Sequence, residues 1–312
     1  MRTAGGARFR GFATLLSSLL WVGCGLLKAS PPAPAPTLSQ IENATYTGVL
    51  EHPVSLQGGS YTGGPFVEGG ESRPAVLLWN ELVVFGDLDG TPGDEAAVLL
   101  SGTSGGSGER IFLSVVGVRD GAVVNLSTTL VGDRVKVRSF DIADGKIILA
   151  LIEAGAGDAA CCPTQLARRA YSLDNAELRL LSTDAQGTLS LEILGGVEWQ
   201  LTWLDREALP PGLRAPTLTV RGQRISGFSG CNSYTGSFEE RGPGEIEVSP
   251  LNTTRMACQP AELNLEQKFL RHLERVNRYT FLAGRLALSG ARGTDRFLLL
   301  LSAKPTAPPE PK

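Results

Sequence analysis

Two runs of sequence near the C-terminal end decide the fold: Ser226-Gly227-Phe228-Ser229-Gly230-Cys231-Asn232-Ser233-Tyr234-Thr235-Gly236-Ser237-Phe238 and Thr253-Thr254-Arg255-Met256-Ala257-Cys258-Gln259-Pro260. Each run ends a hydrophobic segment and carries one cysteine. Glycines interleaved with aromatic residues suit a backbone that bends sharply between strands, because glycine adopts conformations that other residues avoid. This region is therefore predicted to be a β structure with tight bends.

The two runs resemble the signature of the META (HslJ-like) domain family. Trp199-Gln200-Leu201 resembles the opening W-x-L of that family, and Glu266–Leu273 resembles its single helix. The resemblance extends from Glu198 to about Leu301. It implies a small β-rich α+β domain, an open barrel or sheet with one helix, in envelope or secreted bacterial proteins linked to stress resistance. It implies no established enzymatic activity and no agreed ligand.

Cys231 and Cys258 are the natural disulfide pair in an exported chain, because exported proteins meet an oxidising environment. The loop that they close has about 28 residues, a closure worth roughly 3.5 kcal/mol of chain entropy in the unfolded state. A redox-active pair is the alternative. It lacks the C-x-x-C spacing and the helix N-terminus that depress the pKa of a reactive thiol.

Cys161 and Cys162 are adjacent, and Pro163 follows them. Adjacent cysteines can close a vicinal disulfide, pair with cysteines elsewhere, or remain thiols. Two cysteines without a nearby histidine make a poor zinc site, since zinc takes four ligands. We expect a structural vicinal disulfide in an oxidising compartment.

Composition indicates a folded, mainly β protein large enough for two domains. The chain has 312 residues, 42% of them hydrophobic and 20% charged, with 38 glycines and 19 prolines that favour many short turns. Its formal net charge is −3, and loss of an N-terminal leader with three arginines makes it more negative. A nucleic-acid-binding protein normally presents a basic face, so we expect no nucleic-acid partner.

The N-terminus has the order of a secretory signal, in which positive charges precede an apolar run. Arg2, Arg8 and Arg10 precede the apolar run Phe12–Val22, which is shorter than the roughly 20 residues of a membrane span. The run ends at Gly23-Cys24 and resembles a bacterial lipobox. Residues 1–23 are therefore predicted to be a lipoprotein signal peptide, with Cys24 as the lipidated residue. The alternative is an ordinary cleaved signal that discards Cys24.

The lipid on Cys24 is the predicted link to the membrane. Gly25 follows Cys24 where aspartate would signal retention in the inner membrane, so we expect an outer-membrane lipoprotein that faces the periplasm. Residues 24–40 contain a Pro-rich stretch and are predicted to be an extended tether. Residues 303–312 are predicted to be a disordered tail.

Residues 41–182 are predicted to form an antiparallel β domain, a sandwich or a partly open barrel. Turn signals such as Asp120-Gly121 and Asp144-Gly145 separate the strand patterns and join antiparallel neighbours. Residues 183–197 are the predicted linker, and 198–302 the second domain. The predicted strands of the first domain are Ala75–Trp79, Leu82–Phe85, Ala96–Leu100, Arg110–Val118, Val123–Leu130, Val135–Ile142, Lys146–Ile152, Ala170–Leu173 and Glu177–Leu181.

An acidic run, Gly86–Glu95, resembles the aspartate-rich loops of calcium-binding β repeats. Asp87, Asp89, Thr91 and Glu95 are spaced so that a curled loop aims several oxygens at one hard cation. The alternative is an acidic turn between two strands, since two aspartates supply little charge for a tight site. Calcium is the one cofactor that the sequence suggests, and calcium titration of the mature protein distinguishes the two interpretations.

The glycine-rich run 101–108 contains a formal match to the G-x-S-x-G nucleophile elbow. That motif needs a helix after the serine, and a strand pattern follows here instead. We interpret the run as a flexible hairpin loop. It is not a phosphate-binding loop either, because no Gly-Lys-Ser/Thr follows it.

The helix of the second domain is predicted to follow Pro260, which suits a first helical turn. Leu265, Phe269, Leu273 and Val276 fall on one apolar stripe. The residues assigned to the exposed face of this helix are Glu266, Lys268, Arg271, Glu274 and Arg275.

No constellation of catalytic residues is recognisable in the sequence, and we expect a protein that is not an enzyme. The two histidines, His52 and His272, have no nucleophile or acid partner at a known spacing. Adjacent carboxylates such as Glu239-Glu240 point to opposite faces of a strand.

The predicted function is a non-catalytic cell-envelope lipoprotein with a structural or stress-resistance role and an envelope protein as a partner. The alternative is a periplasmic protein that binds a small apolar or peptidic ligand in a groove. We favour core packing for the aromatic residues of that groove, because barrels this small are usually filled by side chains. The candidate groove residues are Trp199, Trp203, Phe228, Tyr234 and Phe238.

Overall fold

The computed structural model of the chain describes residues 34–106, 108–159, 161–205, 207–292 and 295–304. The signal peptide, Cys24 and most of the tether and of the tail lie outside these residues. The elements of the first half are α1 (Leu38–Ile41), β1 (Thr45–Tyr46), β2 (Val54–Ser55), β3 (Ser60–Thr62), β4 (Ala75–Gly86), β5 (Glu95–Thr103), β6 (Arg110–Arg119), β7 (Ala122–Asp133), β8 (Lys136–Ala143), β9 (Lys146–Glu153), β10 (Gln165–Asp174) and β11 (Glu177–Thr188).

The second half begins with a short 3-10 helix, Leu191–Leu194. The elements that follow are β12 (Glu198–Leu204), β13 (Glu207–Ala208), β14 (Thr217–Arg221), β15 (Arg224–Phe228), β16 (Ser233–Gly242), β17 (Glu245–Val248), β18 (Asn252–Thr253), α2 (Pro260–Leu273), β19 (Arg278–Leu282), β20 (Arg285–Arg292) and β21 (Asp295–Ala303).

Besides the two-stranded sheet of β1 and β2, the first half contains two larger antiparallel sheets that share a core. One has the strand order β3-β4-β5-β6-β7 and the other β11-β10-β9-β8. Side chains from both sheets, including Leu99, Leu113, Val137 and Leu149, are buried together between them. The mainly β fold class predicted from the sequence is confirmed, and this half has the character of a sandwich.

Strand β5 is buried on both of its faces. Ala97 and Leu99 face the core between the two sheets, whereas Ala96 and Val98 belong to a second core on the opposite face. The N-terminal segment from α1 to β2 covers that second core with residues such as Tyr46. A strand enclosed from both sides reads as a continuous apolar run, which is the pattern of residues 96–100.

Strand β4 differs from its prediction, which divided it into Ala75–Trp79 and Leu82–Phe85. It is one strand with an irregularity in its pairing between Leu78 and Val83. The polar residues at the irregularity have partners in the tertiary structure: Asn80 donates to Glu42 Oε1 at 2.8 Å, and Glu81 pairs with Arg285 at 3.3 Å. Polar residues that resemble a turn in sequence therefore remain within the strand.

Strands β10 and β11 are longer than their sequence patterns predicted. Their pairing runs from Asp174 and Glu177 at the turn to Gln165 and Thr188 at the far end. Residues 183–188, assigned to a linker, are part of β11. Much of this strand is exposed, so its sequence lacks the apolar alternation that marks a half-buried strand.

Eight strands of the second half form a closed antiparallel barrel within the described residues. They follow the order β12-β14-β15-β16-β17-β19-β20-β21, and β21 pairs with β12 to close the ring. The prediction of an open barrel or sheet is corrected here. Closure joins Leu204 to Leu299 across almost the whole length of the domain, and local patterns do not encode such long-range pairing.

Helix α2 packs against the core of the barrel. Pro260 occupies its first turn, and Leu265, Phe269 and Leu273 are buried in the same core as Leu201 and Leu218. The apolar stripe predicted from the sequence is the face that the helix buries. Within the described part of the chain, neither helix is long and apolar enough to cross a membrane.

The two halves are packed against each other. Ile152 and Leu166 from the first half belong to the core of the barrel, and Ala283 from the barrel belongs to the core of the first half. The backbone N–H of Gly284 also donates to the Val137 carbonyl at 3.0 Å. Hydrophobic cores therefore extend across the boundary that the sequence suggests.

Gly227 provides a test of how closely β14 and β15 approach each other. A Cβ at Gly227 would lie 1.9 Å from the Thr217 carbonyl oxygen, so a Gly227→Ala variant has to displace backbone. We expect a loss of about 3 kcal/mol in the free energy of unfolding, measured as a fall in Tm of roughly 6–12 °C.

The matched control is Gly242→Ala in strand β16, where a Cβ would come no closer than 3.8 Å to Glu245 Oε2. Its Tm should stay close to that of the unmodified protein. Equal Tm values for the two variants would show that the strands do not approach so closely.

Candidate functional site

The turn that contains Cys231 connects β15 to β16 and lies against α2. Within the turn the Ser229 N–H donates to the Asn232 carbonyl at 2.7 Å. Gly230 has a φ of +119°, and a Cβ there would lie 3.3 Å from both Leu265 Cγ and the Glu266 nitrogen. Glycine is needed at this position because it accepts the φ angle and allows the turn to touch the helix.

The carboxylate of Glu266 is buried at this contact and accepts hydrogen bonds from the turn. The Asn232 N–H donates to Oε2 at 2.7 Å, and Asn232 Nδ2 donates to Oε1 at 3.0 Å. The Ser229 hydroxyl also contacts Oε2 as a donor. The assignment of Glu266 to the exposed face of the helix was wrong, since this residue is only 9% exposed.

The hydrogen bonds decide the charge of Glu266. Burial by itself raises the pKa of a carboxyl group, but the donors of Ser229 and Asn232 outweigh burial and lower the pKa of Glu266 below its usual value. The residue is therefore an anion at neutral pH, held by neutral donors.

Asn232 also holds the segment that precedes α2. Its Oδ1 accepts a hydrogen bond from the Thr254 hydroxyl at 2.9 Å and another from the Met256 N–H at 2.8 Å. The sulfur atoms of Cys231 and Cys258 lie at disulfide distance beside these bonds. We call Ser229, Cys231, Asn232, Cys258 and Glu266 the cysteine node.

The cysteine node suits cross-linking better than catalysis. It joins three segments, namely the turn, the run before α2 and the helix itself. The carboxylate of Glu266 already receives donors on both oxygens, and a carboxylate that is so well solvated by the protein is a weak base. The sulfurs are paired with each other.

A signal for Glu266 was present in the sequence. It precedes Phe269 by three residues and Leu273 by seven, a spacing that places all three on the same side of a helix. A carboxylate at such a position is buried only where hydrogen-bond donors contact it, and Ser229 and Asn232 supply those donors. The contact depends on a packing that the sequence does not display.

The acidic residues of the run 86–95 are close together. Ligand atoms of Asp87, Asp89 and Glu95 lie within 4.8 Å of one another. Asp87 Oδ1 accepts from the Gly90 N–H at 2.8 Å, and Thr91 donates to Asp89 Oδ1 through its N–H at 2.9 Å and its hydroxyl at 2.6 Å. Thr91 is thus a donor within the turn.

Arg119 lies over this acidic turn. Its Nη2 forms ion pairs with Asp89 Oδ2 and, at 3.3 Å, with the buried Glu95. Burial raises the pKa of Asp89, but bonds from Thr91 and the charge of Arg119 outweigh burial and lower it. Calcium binding at this turn stays a prediction. A calcium ion would compete with the Arg119 guanidinium for the carboxylates of Asp89 and Glu95.

The sulfur atoms of Cys161 and Cys162 also lie at disulfide distance from each other. Their loop is held by Asp158, whose Oδ2 accepts from the N–H groups of Gly155 at 2.8 Å and Thr164 at 2.7 Å. These backbone bonds lower the pKa of Asp158. The cysteine pair and the barrel residue Arg278 line a cavity of about 160 Å³, and Arg278 Nη1 lies 3.9 Å from Cys162 Sγ. This volume is small for a ligand site.

The five aromatic residues of the candidate groove do not share a surface. Trp199, Tyr234 and Phe238 are buried in the core of the barrel. Phe228 lies beneath the guanidinium of Arg214 at 4.1 Å, and Trp203 is partly exposed.

The remaining candidates for acid-base chemistry also have structural partners. The Nδ1 of His272 lies 2.6 Å from the Lys268 carbonyl and donates to it, and its ring packs against Phe297. Glu240 accepts from the Tyr279 hydroxyl at 3.2 Å. The His52 ring contacts the Tyr61 hydroxyl at 3.4 Å.

Glu266→Gln tests the cysteine node. The amide keeps the shape of the side chain but turns one acceptor oxygen into a donor that faces the donors of the turn. We expect the free energy of unfolding at neutral pH to fall by about 1–3 kcal/mol, measured by thermal and denaturant unfolding.

Glu274→Gln on the exposed end of α2 is the matched control and should change stability by less than about 0.5 kcal/mol. The folded-state pKa of Glu266 lies below the unfolded one, so its contribution is complete above the unfolded pKa and is lost as pH falls through the folded pKa. The stability difference between the protein and Glu266→Gln should therefore narrow below about pH 4. A difference that persists unchanged in strong acid would contradict a charged Glu266.

Comparisons with known proteins give one family match and two similar solved structures. Residues 191–303 match the model of the META domain family. An NMR structure of a protein from Burkholderia xenovorans is 26% identical over 36% of this chain and 85% of that chain, with a TM-score of 0.29. A second protein solved by NMR is 21% identical over 36% of this chain and 94% of its own, with a TM-score of 0.30. No curated protein matches the chain. The matched residues, 191–303, hold the barrel, α2 and the cysteine node, and we refer to them as the META domain after the family that they match.

Proposed function

We propose that this chain is a non-catalytic lipoprotein of the cell envelope, in which the META domain is a structural module that serves stress resistance. The observation that carries the proposal is the filled interior of the barrel. Phe238 and Phe269 are fully buried, and Leu201 and Leu218 pack with them in one core. A barrel filled by side chains is a packed core and leaves no central site for a substrate.

The cysteines support an oxidising compartment. Cys231 with Cys258, and Cys161 with Cys162, lie at disulfide distance. Structural disulfides persist outside the cytosol and are rare inside it. The signal-like N-terminus and the lipobox-like site at Cys24 support the same compartment from the sequence alone.

The anchor is tested by replacing Cys24. In the source bacterium, the unmodified chain should incorporate a labelled fatty acid and partition with the outer membrane, whereas Cys24→Ser should lose the label and leave the membrane. Ser30→Ala, a change within the predicted tether, is the matched control and should behave like the unmodified chain. A Cys24→Ser variant that stays in the membrane would remove the proposed anchor.

The role is tested in the same strains under envelope stress such as detergent. The unmodified chain and Ser30→Ala should restore survival to a deletion strain, and Cys24→Ser should not. A pull-down from the envelope fraction, with Cys24→Ser as the control, then identifies an envelope partner. Equal survival of the deletion strain and its parent would argue against a stress role.

A second candidate function, binding of a small apolar or peptidic ligand, is favoured by a groove on the META domain. The segment between β12 and β14 lies beside α2 and leaves a cavity of about 380 Å³, lined by Leu204, Leu209, Leu213 and Leu265. Lys268 and Glu207 form an ion pair at 3.3 Å and also line it. This volume is within the range of small-molecule sites.

A native mass spectrum of gently extracted protein separates the two candidates. A ligand-binding protein should carry a co-purified molecule that Leu209→Arg removes by filling the groove with a charged side chain. Leu282→Arg, at a partly exposed leucine elsewhere on the barrel, should keep the molecule. An unmodified protein that is empty under these conditions supports the structural role.

A further inference from the structure

An apolar cavity of about 420 Å³ opens on the first half of the chain, away from the META domain. It lies on the face of the five-stranded sheet that α1, β1 and β2 only partly cover. Its walls include Val49, Leu50, Phe66, Phe112 and Leu130, and Arg110 stands at its edge. Cavities of this size and character hold small organic ligands in proteins.

The wall that carries Phe66 is a loop pinned to the sheet. The Gly63 N–H donates to the Pro74 carbonyl at 2.8 Å, which closes the loop, and the Phe66 N–H donates to the Ser72 carbonyl at 3.1 Å. The Ser72 hydroxyl donates to the Gly105 carbonyl at 2.6 Å and ties the loop to the hairpin after β5. Phe66 is therefore held in place.

Gly105 makes room for this wall. Its φ is +86°, and a Cβ there would lie 2.6 Å from Phe66 Cε2 and 2.4 Å from Ser72 Oγ. Gly105 belongs to the glycine-rich run that resembled a nucleophile elbow in sequence, and it thus has a packing role. It lets the Phe66 ring approach the hairpin.

Two of the apolar residues that line the cavity are exposed to solvent. Phe66 is 59% exposed and Leu130 is 52% exposed. Exposed large apolar side chains that gather around a cavity mark a binding site more often than scattered ones do. A ligand that covers both would bury apolar surface, which is favourable.

Arg110 determines the charge of the ligand. Among the described residues its guanidinium has neither a hydrogen bond nor an ion pair. The acids nearest to it in the two strands are engaged elsewhere, because Asp133 pairs with Arg134 at 3.2 Å and Glu109 with Lys136 at 3.9 Å. An unpaired guanidinium next to an apolar wall is suited to a carboxylate, which it binds through two parallel hydrogen bonds.

We propose that this cavity binds a free single-chain amphipathic carboxylate, a molecule of the fatty-acid class. Its apolar chain lies against Phe66, Phe112 and Leu130, and its carboxylate pairs with Arg110. Glu51 also lines the cavity, and its negative charge disfavours a carboxylate placed next to it. The site is independent of the lipid anchor and of the groove on the META domain.

Dodecanoate tests the proposal. It is added below its micelle concentration to the purified Cys24→Ser chain, which carries no lipid of its own, and binding is followed by calorimetry. We expect one molecule to bind per chain. Dodecyltrimethylammonium has the same apolar chain with the opposite charge, and it should bind at least about tenfold more weakly.

Variants separate the charge from the apolar walls. Arg110→Gln should weaken dodecanoate binding roughly tenfold and leave the binding of neutral dodecanol unchanged. Arg168→Gln, at an exposed arginine on β10 in the other sheet, is the matched control. It should change the binding of neither dodecanoate nor dodecanol. Phe66→Ser should weaken both ligands, and an unchanged melting curve shows that each variant is folded.

Four outcomes would overturn the proposal. The first three are no binding of dodecanoate, binding by Arg110→Gln that equals binding by the unmodified chain, and tighter binding of the cationic detergent. The fourth is binding that depends on Arg110 but occurs only with vesicles of anionic phospholipid. That result would assign the surface to a membrane instead of a free carboxylate.

Discussion

The META domain depends on the buried carboxylate of Glu266. A charge out of contact with water is costly unless donors replace its hydration. Ser229 and Asn232 supply those donors, and Asn232 uses its remaining oxygen to hold Thr254 and Met256. The helix, the turn and the segment between them are therefore joined at one point. Loss of the Glu266 carboxylate leaves the buried N–H and side-chain amide of Asn232 without their acceptor.

This use of polar groups bears on function. The conspicuous residues of the two cysteine runs are occupied in holding the domain together, and the ring of eight strands closes around a filled core. Surfaces outside the node are therefore the candidates for ligand binding. Among the described residues, apolar walls combine with charge in the groove beside α2, with Lys268, and in the cavity of the five-stranded sheet, with Arg110.

Much of the fold was readable from local patterns. The run 96–100 has no polar residue because β5 is covered on both faces, and the stripe of Leu265, Phe269 and Leu273 marks the buried face of α2. The division of β4 failed because Asn80 and Glu81 find distant partners. The groove of five aromatic residues does not form because three of them are used to fill the barrel.

The sequence by itself determined the fold class, the META signature and the acidic and cysteine runs, since each of these is written in neighbouring residues. Only the tertiary structure decided that the barrel closes, that Glu266 is buried, that Arg119 covers the acidic turn and that Gly105 lies against Phe66. The physical reason is the same in each case. These contacts join residues far apart in the chain. The free energy of each contact depends on which hydrogen-bond donors, charged groups and packed side chains the folded chain brings together.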